Sequence, residues 1–272
     1  MVLDALLVPA AVLGGVGLFF GVLLAISSRM LHVEQDARLD PVAAALPGAN
    51  CGGCGFPSCF RLALAILDGK AAVTACPVGG KKSAAAIAGI MGVPMGEIER
   101  LVAHVGCRGG INAQRRFVYD GLPDCLSASQ LAGGPLECAY GCLGYGSCVA
   151  ACPYNAMAIE NSVAVVHAEN CRACKKCVAA CPRNLVSVVS EKQAVFVSCS
   201  SRDKGGELRR YCNIGCLGCT LCQKKCPADA IAVRDNLARI DYDKCVSCGL
   251  CATVCPRKLI TDAAVNVVES IR

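Results

Sequence analysis

Residues 171–182 read CRACKKCVAACP, with Cys171, Cys174, Cys177 and Cys181 separated by two, two and three residues and Pro182 directly after the last. The same spacing returns at Cys216, Cys219, Cys222, Cys226-Pro227 and at Cys245, Cys248, Cys251, Cys255-Pro256. Three thiolates on so tight a loop can hold three irons of a cubane iron–sulfur cluster, and the fourth ligand must come from elsewhere. A fourth run is stretched: Cys138-x3-Cys142-x5-Cys148-x3-Cys152-Pro153 keeps the C-x3-C-P ending and reads as the same motif with a widened loop, GCLGYGSC. Tandem zinc ribbons are the competing reading, and repeated runs of this spacing argue against them.

In bacterial two-cluster ferredoxins the fourth ligand crosses over from the partner run and locks two halves into one fold. Applied here, Cys138, Cys142, Cys148 and Cys181 would hold one cluster, and Cys171, Cys174, Cys177 and Cys152 its neighbour. A second pair would take Cys216, Cys219, Cys222 and Cys255, then Cys245, Cys248, Cys251 and Cys226. Each C-x3-C-P is followed by a segment of strand character: AMAIENSVAVV, LVSVVSEKQAVFV, AIAVRDNLARI and LITDAAVNVV. Their alternating apolar residues, most of them broken by polar turn pairs, predict small hairpins covering the clusters. Counted from Cys138 to Cys216 the two-cluster unit repeats after 78 residues.

A further set lies upstream. Cys51, Cys54 and Cys59 in NCGGCGFPSC, with Cys76-Pro77 beyond, are spaced x2-x4-x16. Gly52, Gly53 and Gly55 let the backbone wrap closely round a bulky inorganic core and turn amides toward it. FRLALAIL predicts a short helix starting at the third cysteine, with a turn at Asp68-Gly69. Zinc also accepts four thiolates, but three close cysteines and a distant one before proline favour iron–sulfur.

Composition agrees with metal. The chain has 272 residues with 24 cysteines, no tryptophan and a formal charge of +6. Apolar residues make up 54% and charged residues 18%, which excludes a disordered chain. Secreted disulfide scaffolds reach this cysteine density, but they are much shorter. Twenty cysteines fall into five sets, so five clusters are expected. Cys107, Cys125, Cys199 and Cys212 are left over without any C-x2-C nucleus. A sixth cluster, two local disulfides (Cys107–Cys125 and Cys199–Cys212) or buried free thiols all remain open for them, and they stay off the ligand set.

From Ala5 to Ser28 no residue is charged, long enough for a helix to cross a hydrocarbon core of about 30 Å. A cleaved signal peptide would need a basic start and a shorter apolar core, whereas only Asp4 precedes this span. Arg29 and Arg38 follow it, which places the remainder on the cytoplasmic side, in a reducing compartment. The span has no ionisable group and so cannot by itself conduct ions.

The expected fold is α+β. It comprises a transmembrane anchor (1–28), a small helical 4Fe-4S domain (29–95), a connector (96–135) and two tandem two-cluster ferredoxin units (136–198 and 199–272). GGVGLFFG lies in the apolar span and VGGKKS lacks the upstream glycine of a phosphate loop, so no NAD or ATP site is visible. His32, His104 and His167 are scattered, as packing or surface residues would be. Arg172, Lys175, Lys176, Arg183, Lys224, Lys225, Arg257 and Lys258 crowd the cluster loops, where they compensate anionic clusters or steer an acidic electron carrier. Twelve aromatic side chains are few for nucleic-acid binding.

The apolar N-terminal span, NCGGCGFPSC with Cys76-Pro77, and ECAYGCLGYGSCVAACP with its partner runs together resemble the B subunits of the Rnf complex, a membrane-bound ferredoxin–NAD oxidoreductase that moves sodium ions or protons. The resemblance covers essentially the whole chain. It implies an electron-transfer protein without a catalytic residue or NAD site of its own. Such a protein takes electrons from reduced ferredoxin or flavodoxin at the bacterial inner membrane, beside the A, C, D, E and G subunits. A polyferredoxin-like component of another membrane dehydrogenase or hydrogenase is the alternative. The chain departs from shorter members in carrying a second ferredoxin unit after Cys199. With about −2 per oxidised four-thiolate cubane, five clusters would bring the formal charge from +6 to about −4.

Overall fold

The computed structural model describes residues 2–30, 36–193 and 195–262. Helix α1 (Val2–Met30) is a single long rod. Its window Leu13–Met30 has a mean hydropathy of 1.6, and none of it is buried inside the molecule. At 1.5 Å per residue it is long and apolar enough to cross a membrane. His32 lies outside the described residues.

Helices α2 (Leu39–Ala45), α3 (Cys59–Leu67) and α4 (Gly80–Met91) close around Leu39, Val42, Leu62, Ala63, Ile66 and Ile87. Helix α3 starts at the third cysteine of its set, as the sequence predicts, because Ser58 caps it by accepting the Arg61 N–H at 3.2 Å. The turn at Gly69 is also present, in the left-handed region at φ +70°.

Strand β1 (Leu101–Val105) comes next, then α5 (Cys125–Gln130), α6 (Ser147–Ala150) and the pair β2 (Met157–Glu160) and β3 (Val163–Val166). Helix α7 (Lys176–Ala180) and β4 (Val186–Ser190) complete a first group. The second group runs β5 (Val195–Val197), α8 (Gly205–Tyr211), α9 (Leu221–Lys224), β6 (Ile231–Arg234), β7 (Leu237–Ile240), α10 (Leu250–Val254) and β8 (Ile260–Asp262).

Two of the expected hairpins form among the described residues. β2 pairs with β3 across Asn161-Ser162, and β6 with β7 across Asp235-Asn236; both turn residues have positive φ in each case, the geometry of the tight hairpin turn that matches strand twist. The segment LVSVVSEKQAVFV does not fold on itself. Its first half, β4, pairs antiparallel with the distant β1, Ser190 opposite Leu101. Its second half, β5, pairs with β8, Val195 opposite Asp262. The end of LITDAAVNVV, from residue 263, lies outside the described residues. Both departures have one cause: the last strand of each cluster pair closes on the strand that precedes the pair, and the paired strands pack in the same cores as the cage cysteines. Residues 101–105, expected in the connector, therefore pack with Cys148, Met157, Cys171 and Val186 in the first unit's core. Residues 195–197, expected in the first unit, pack in the core of the second.

Candidate iron–sulfur sites

Cysteine loops of one backbone design recur four times. The residues on either side of the second cysteine position have positive φ: Ala173 and Lys175 around Cys174, Gly218 and Thr220 around Cys219, Ser247 and Gly249 around Cys248. In the first run the same pair is Gly144 and Gly146, and the residue between them is Tyr145. Past each C-P, Asn155, Asn184, Asp229 and Lys258 also have positive φ. These turns aim main-chain N–H groups at the sulfurs: Ala156, Leu185 and Ala230 donate to Cys152, Cys181 and Cys226 at 3.4, 3.4 and 3.3 Å. Ala103 of β1 donates to Cys171 at 3.3 Å.

The loops enclose cavities of similar volume. One, ≈ 340 Å³, is lined by Cys152, Cys171, Cys174 and Cys177. Another, ≈ 370 Å³, is lined by Cys216, Cys219, Cys222 and Cys255. In both, the fourth thiol comes from the partner run, as the crossover of two-cluster ferredoxins requires. Cys245 and Cys248 lie beside Cys251, whose thiol is pushed up first by burial and then by these neighbours, and Cys226 packs in the same core.

The cavity of the remaining run, ≈ 360 Å³, holds a different set from the one the sequence suggested. It is lined by Cys125, Cys142, Cys148 and Cys181, and Cys138 is not among its walls. The physical reason is register. Cys142, Cys148, Cys152, Cys171, Cys174, Cys177 and Cys181 each have a counterpart 74 residues later (142 to 216), so the repeat is 74 and not 78 residues. In that register Tyr145 occupies the slot of Cys219. Its ring meets Tyr119 edge-on at 5.4 Å, and its hydroxyl accepts from Arg115 Nη1 at 3.3 Å. The inserted segment supplies the missing thiol. Asp124 caps α5 by accepting the N–H groups of Leu126 and Ser127, and Cys125 N–H donates to Ser147 Oγ at 2.7 Å. The sequence signal that could have revealed this is the repeated C-x2-G-C-L-G, at 138–144 and 212–218.

The N-terminal set converges from the loop before α3 and the turn before α4. Asn50 Oδ1 accepts the Cys59 N–H at 2.8 Å, and Gly79 N–H donates to Cys76 Sγ at 3.3 Å. Burial pushes the Cys76 thiol up, and Cys54 and Cys59 add to the shift. The loop docks on the loop that carries Cys171, Cys174 and Cys177, through Gly53 against the Cys174 backbone. The Tyr154 hydroxyl belongs to the same contact, raised first by burial and then by Cys174 and Cys51.

Burial also pushes Cys148 up to about 12 and Cys177 and Cys222 to about 11, with neighbouring thiols adding. Without a cation these sulfurs stay protonated, so metal ions must displace the protons as a cluster assembles. All 24 cysteines are unpaired, so neither Cys107–Cys125 nor Cys199–Cys212 is a disulfide. Among the described residues no three His, Cys, Asp or Glu side chains converge on a point where a single ion could sit. Zinc would need its sulfurs about 2.3 Å from one centre. The sets of four thiols lining these cavities match a four-iron core, which takes one thiolate per iron.

Arg183 and Arg257, expected either to compensate cluster charge or to form a docking face, are turned inward. Arg183 Nη1 donates to the carbonyls of Cys138 (2.9 Å) and Gly141 (2.6 Å), and Arg257 Nη2 to that of Cys212 (2.9 Å). Arg172, Lys175, Lys176, Lys224, Lys225 and Lys258 are exposed.

Three family profiles match the chain: "Putative Fe-S cluster" over residues 46–78, "4Fe-4S dicluster domain" over 136–182 and "4Fe-4S binding domain" over 238–261. The chain is 47% identical over 245 residues to the B subunit of the "Na(+)-translocating ferredoxin:NAD(+) oxidoreductase complex" of Acetobacterium woodii, across 89% of this chain and 74% of that one. The B subunit of the "Ion-translocating oxidoreductase complex" of Methanosarcina acetivorans is 42% identical over 92% of this chain and 96% of its own length. The B subunit of the "Proton-translocating ferredoxin:NAD(+) oxidoreductase complex" of Clostridium ljungdahlii is 39% identical, over 85% and 83%.

Proposed function

The chain belongs to the family of B subunits of Rnf-type ion-translocating oxidoreductase complexes, and from that premise we propose how it serves as the iron–sulfur electron-transfer component of such a complex. It takes single electrons from reduced ferredoxin or flavodoxin and relays them through four-thiolate cages to the A, C, D, E and G subunits, where NAD is reduced and ions move. Helix α1 is the single-pass anchor, with the cage domains on the cytoplasmic side. Two relatives are named for different ions, sodium and the proton. The absence of any charge between Ala5 and Ser28 supports an ion path outside this chain.

The ligand sets follow the cavities. The N-terminal cage uses Cys51, Cys54, Cys59 and Cys76. The first ferredoxin unit, 101–190, uses Cys125, Cys142, Cys148 and Cys181, then Cys152, Cys171, Cys174 and Cys177. The second, 195–262, uses Cys216, Cys219, Cys222 and Cys255, then Cys226, Cys245, Cys248 and Cys251. A [4Fe–4S] cluster supplies one-electron chemistry when bound. The chain's own residues hold its charge with thiolates, tune its potential with N–H···S bonds and exclude water.

The observation that carries this reading is the recurrence, among the described residues, of cavities each lined by four cysteines drawn from separate loops. The test is anaerobic reduction of the full-length chain. Reduced ferredoxin should bleach its visible absorbance in the absence of other subunits, and NADH alone should not. Direct exchange of electrons with NADH would overturn the assignment.

A further inference from the structure

The segment after β1 is longer than its counterpart in the second unit. Cys138 follows Val105 by 33 positions, whereas Cys212 follows Val197 by 15. The extra length supplies the Cys125 thiol, but that thiol explains none of the aliphatic side chains the segment turns to solvent. Val118 is 90% exposed and Leu122 70%, and Ile111, Leu126 and Leu131 are exposed with them. They stand on a braced scaffold. Arg116 Nε donates to the Leu136 carbonyl at 3.0 Å, and its Nη2 to those of Ala132 and Gly134 at 2.9 and 2.8 Å, which closes the loop. Tyr145 gathers the rest: Tyr119 meets its ring edge-on, the Arg115 guanidinium lies 6.0 Å from its centroid, and Ser147 accepts the Cys125 N–H that opens α5. Apolar side chains displayed together on an ordered surface mark a contact face.

A basic rim adjoins them. Gln114 N–H donates to the Tyr211 carbonyl at 2.7 Å, and Asn213 N–H to that of Asn112 at 3.1 Å, so the end of α8 lies against the segment. There α8 carries Arg209 and Arg210, both exposed. With Arg115, Arg116, Arg202 and Lys204 they stand against three exposed acids, Asp120, Glu137 and Glu207. Asp124 and Asp203 are engaged, by the first N–H groups of α5 and by the Tyr211 hydroxyl. Protruding aliphatics, tyrosines and a surplus of arginines are what a surface needs to lie in a lipid headgroup layer.

We propose that this face, residues 111–131 with α8, rests on the anionic surface of the bilayer that α1 enters, with Val118 and Leu122 dipping between the headgroups. The inference rests on the anchor reading of α1. Charge complementarity selects the occupant: the cytoplasmic leaflet is negative, and the rim is positive. Helix α1 holds that surface at high effective concentration, so shallow insertion suffices. An electron carrier would gain little here. Tyr145 stands where the second unit exposes Cys219, and Cys125 and Cys148 are buried. Contact at a second point fixes how the ferredoxin units are oriented above the membrane, which a single helix followed by a linker does not.

The test is anaerobic hydrogen exchange, read by mass spectrometry, on the full-length chain in vesicles of phosphatidylcholine alone and of an equimolar mixture with phosphatidylglycerol. One basic residue near such a surface changes occupancy about fivefold. Exchange over 111–131 and 202–210 should therefore slow by about fivefold or more in the anionic vesicles, and the cage loops should not change. Arg209→Glu/Arg210→Glu should abolish the slowing and Val118→Ser/Leu122→Ser should weaken it, both at wild-type iron content, because none of the four touches a cage. Equal exchange in the two lipids would overturn the face. So would protection that appears only at high chain concentration, the mark of a second copy, or only with other subunits present, the mark of a protein interface. Flotation after alkaline carbonate reads the anchor separately. Carbonate-resistant flotation without protection would overturn the face and leave the anchor, whereas protection with release by carbonate would overturn the anchor and leave the face.

Discussion

Gly53 lies against the backbone of Cys174: a Cβ built on it would stand 3.2 Å from the Cys174 Cα and 3.4 Å from its carbonyl oxygen. This is where the N-terminal domain seats on a ferredoxin loop, and only a residue without a side chain lets the two cages approach so closely. Gly53→Val should cost about 1–3 kcal/mol of docking, which lowers the docking equilibrium constant by about 5- to 150-fold. Iron content should stay at the wild-type value, because neither ligand set is touched. Freeze-quench spectra should show slower electron exchange between the N-terminal cage and the rest. Unchanged exchange would mean that the contact is incidental.

Cys125 and Tyr145 make a second test, because the fold places a tyrosine where the 74-residue repeat (145 to 219) places Cys219. Cys125→Ser should lose about four irons, the contents of one cubane. Adding Tyr145→Cys to that variant should restore them, since Gly144 and Gly146 already give the loop the backbone conformation that surrounds Cys174, Cys219 and Cys248. Iron analysis of the single and double variants decides it. Failure of the rescue would show that the first run needs the inserted segment for more than a thiol.

That pair also marks how far the sequence could be read. The three regular runs, the crossing of Cys152 and Cys255 to partner loops, and the start of α3 at Cys59 follow from spacing and capping, which are local. The place of Cys125 does not, because it depends on the segment after β1 folding back to Ser147. Nor does the pairing of β1 with β4, whose facing residues Leu101 and Ser190 are separated by most of the first unit. The inward turn of Arg183 and Arg257 is equally invisible in a one-dimensional charge pattern: an arginine beside a cluster looks the same whether it faces a partner or a carbonyl.

With those two arginines withdrawn, the docking charge rests on the lysines and Arg172. Cys219 and Cys248 are the exposed thiols among the 24, and both lie in the second unit. Cys174 is buried on the loop that Gly53 covers. Lys224→Glu/Lys225→Glu should therefore slow reduction by ferredoxin several-fold at low ionic strength, and Lys175→Glu/Lys176→Glu should do so less. Raising salt to about 0.1 M or more, where the screening length falls to about 10 Å, should shrink the difference. Stopped-flow rates across a salt series measure this; a larger effect at Lys175 and Lys176 would move the docking face to the first unit.

His104 gives the fold a pH dependence of its own. It sits on β1 with its ring stacked on Phe196 of β5, centroids 4.6 Å apart, and its Nε2 is buried without a partner. Burial holds its pKa down at about 4, against an ordinary value of 6.5. Because the folded value is the lower one, the unfolded chain binds the proton first as pH falls. The stability that His104 contributes is therefore complete above pH 6.5 and is lost progressively down to pH 4, by about 3 kcal/mol at most. His104→Phe keeps the stack and removes the titration. Anaerobic denaturation midpoints of the two proteins should diverge between pH 7 and pH 5, the variant keeping more of its stability. Parallel curves would show that the imidazole finds a proton acceptor when charged.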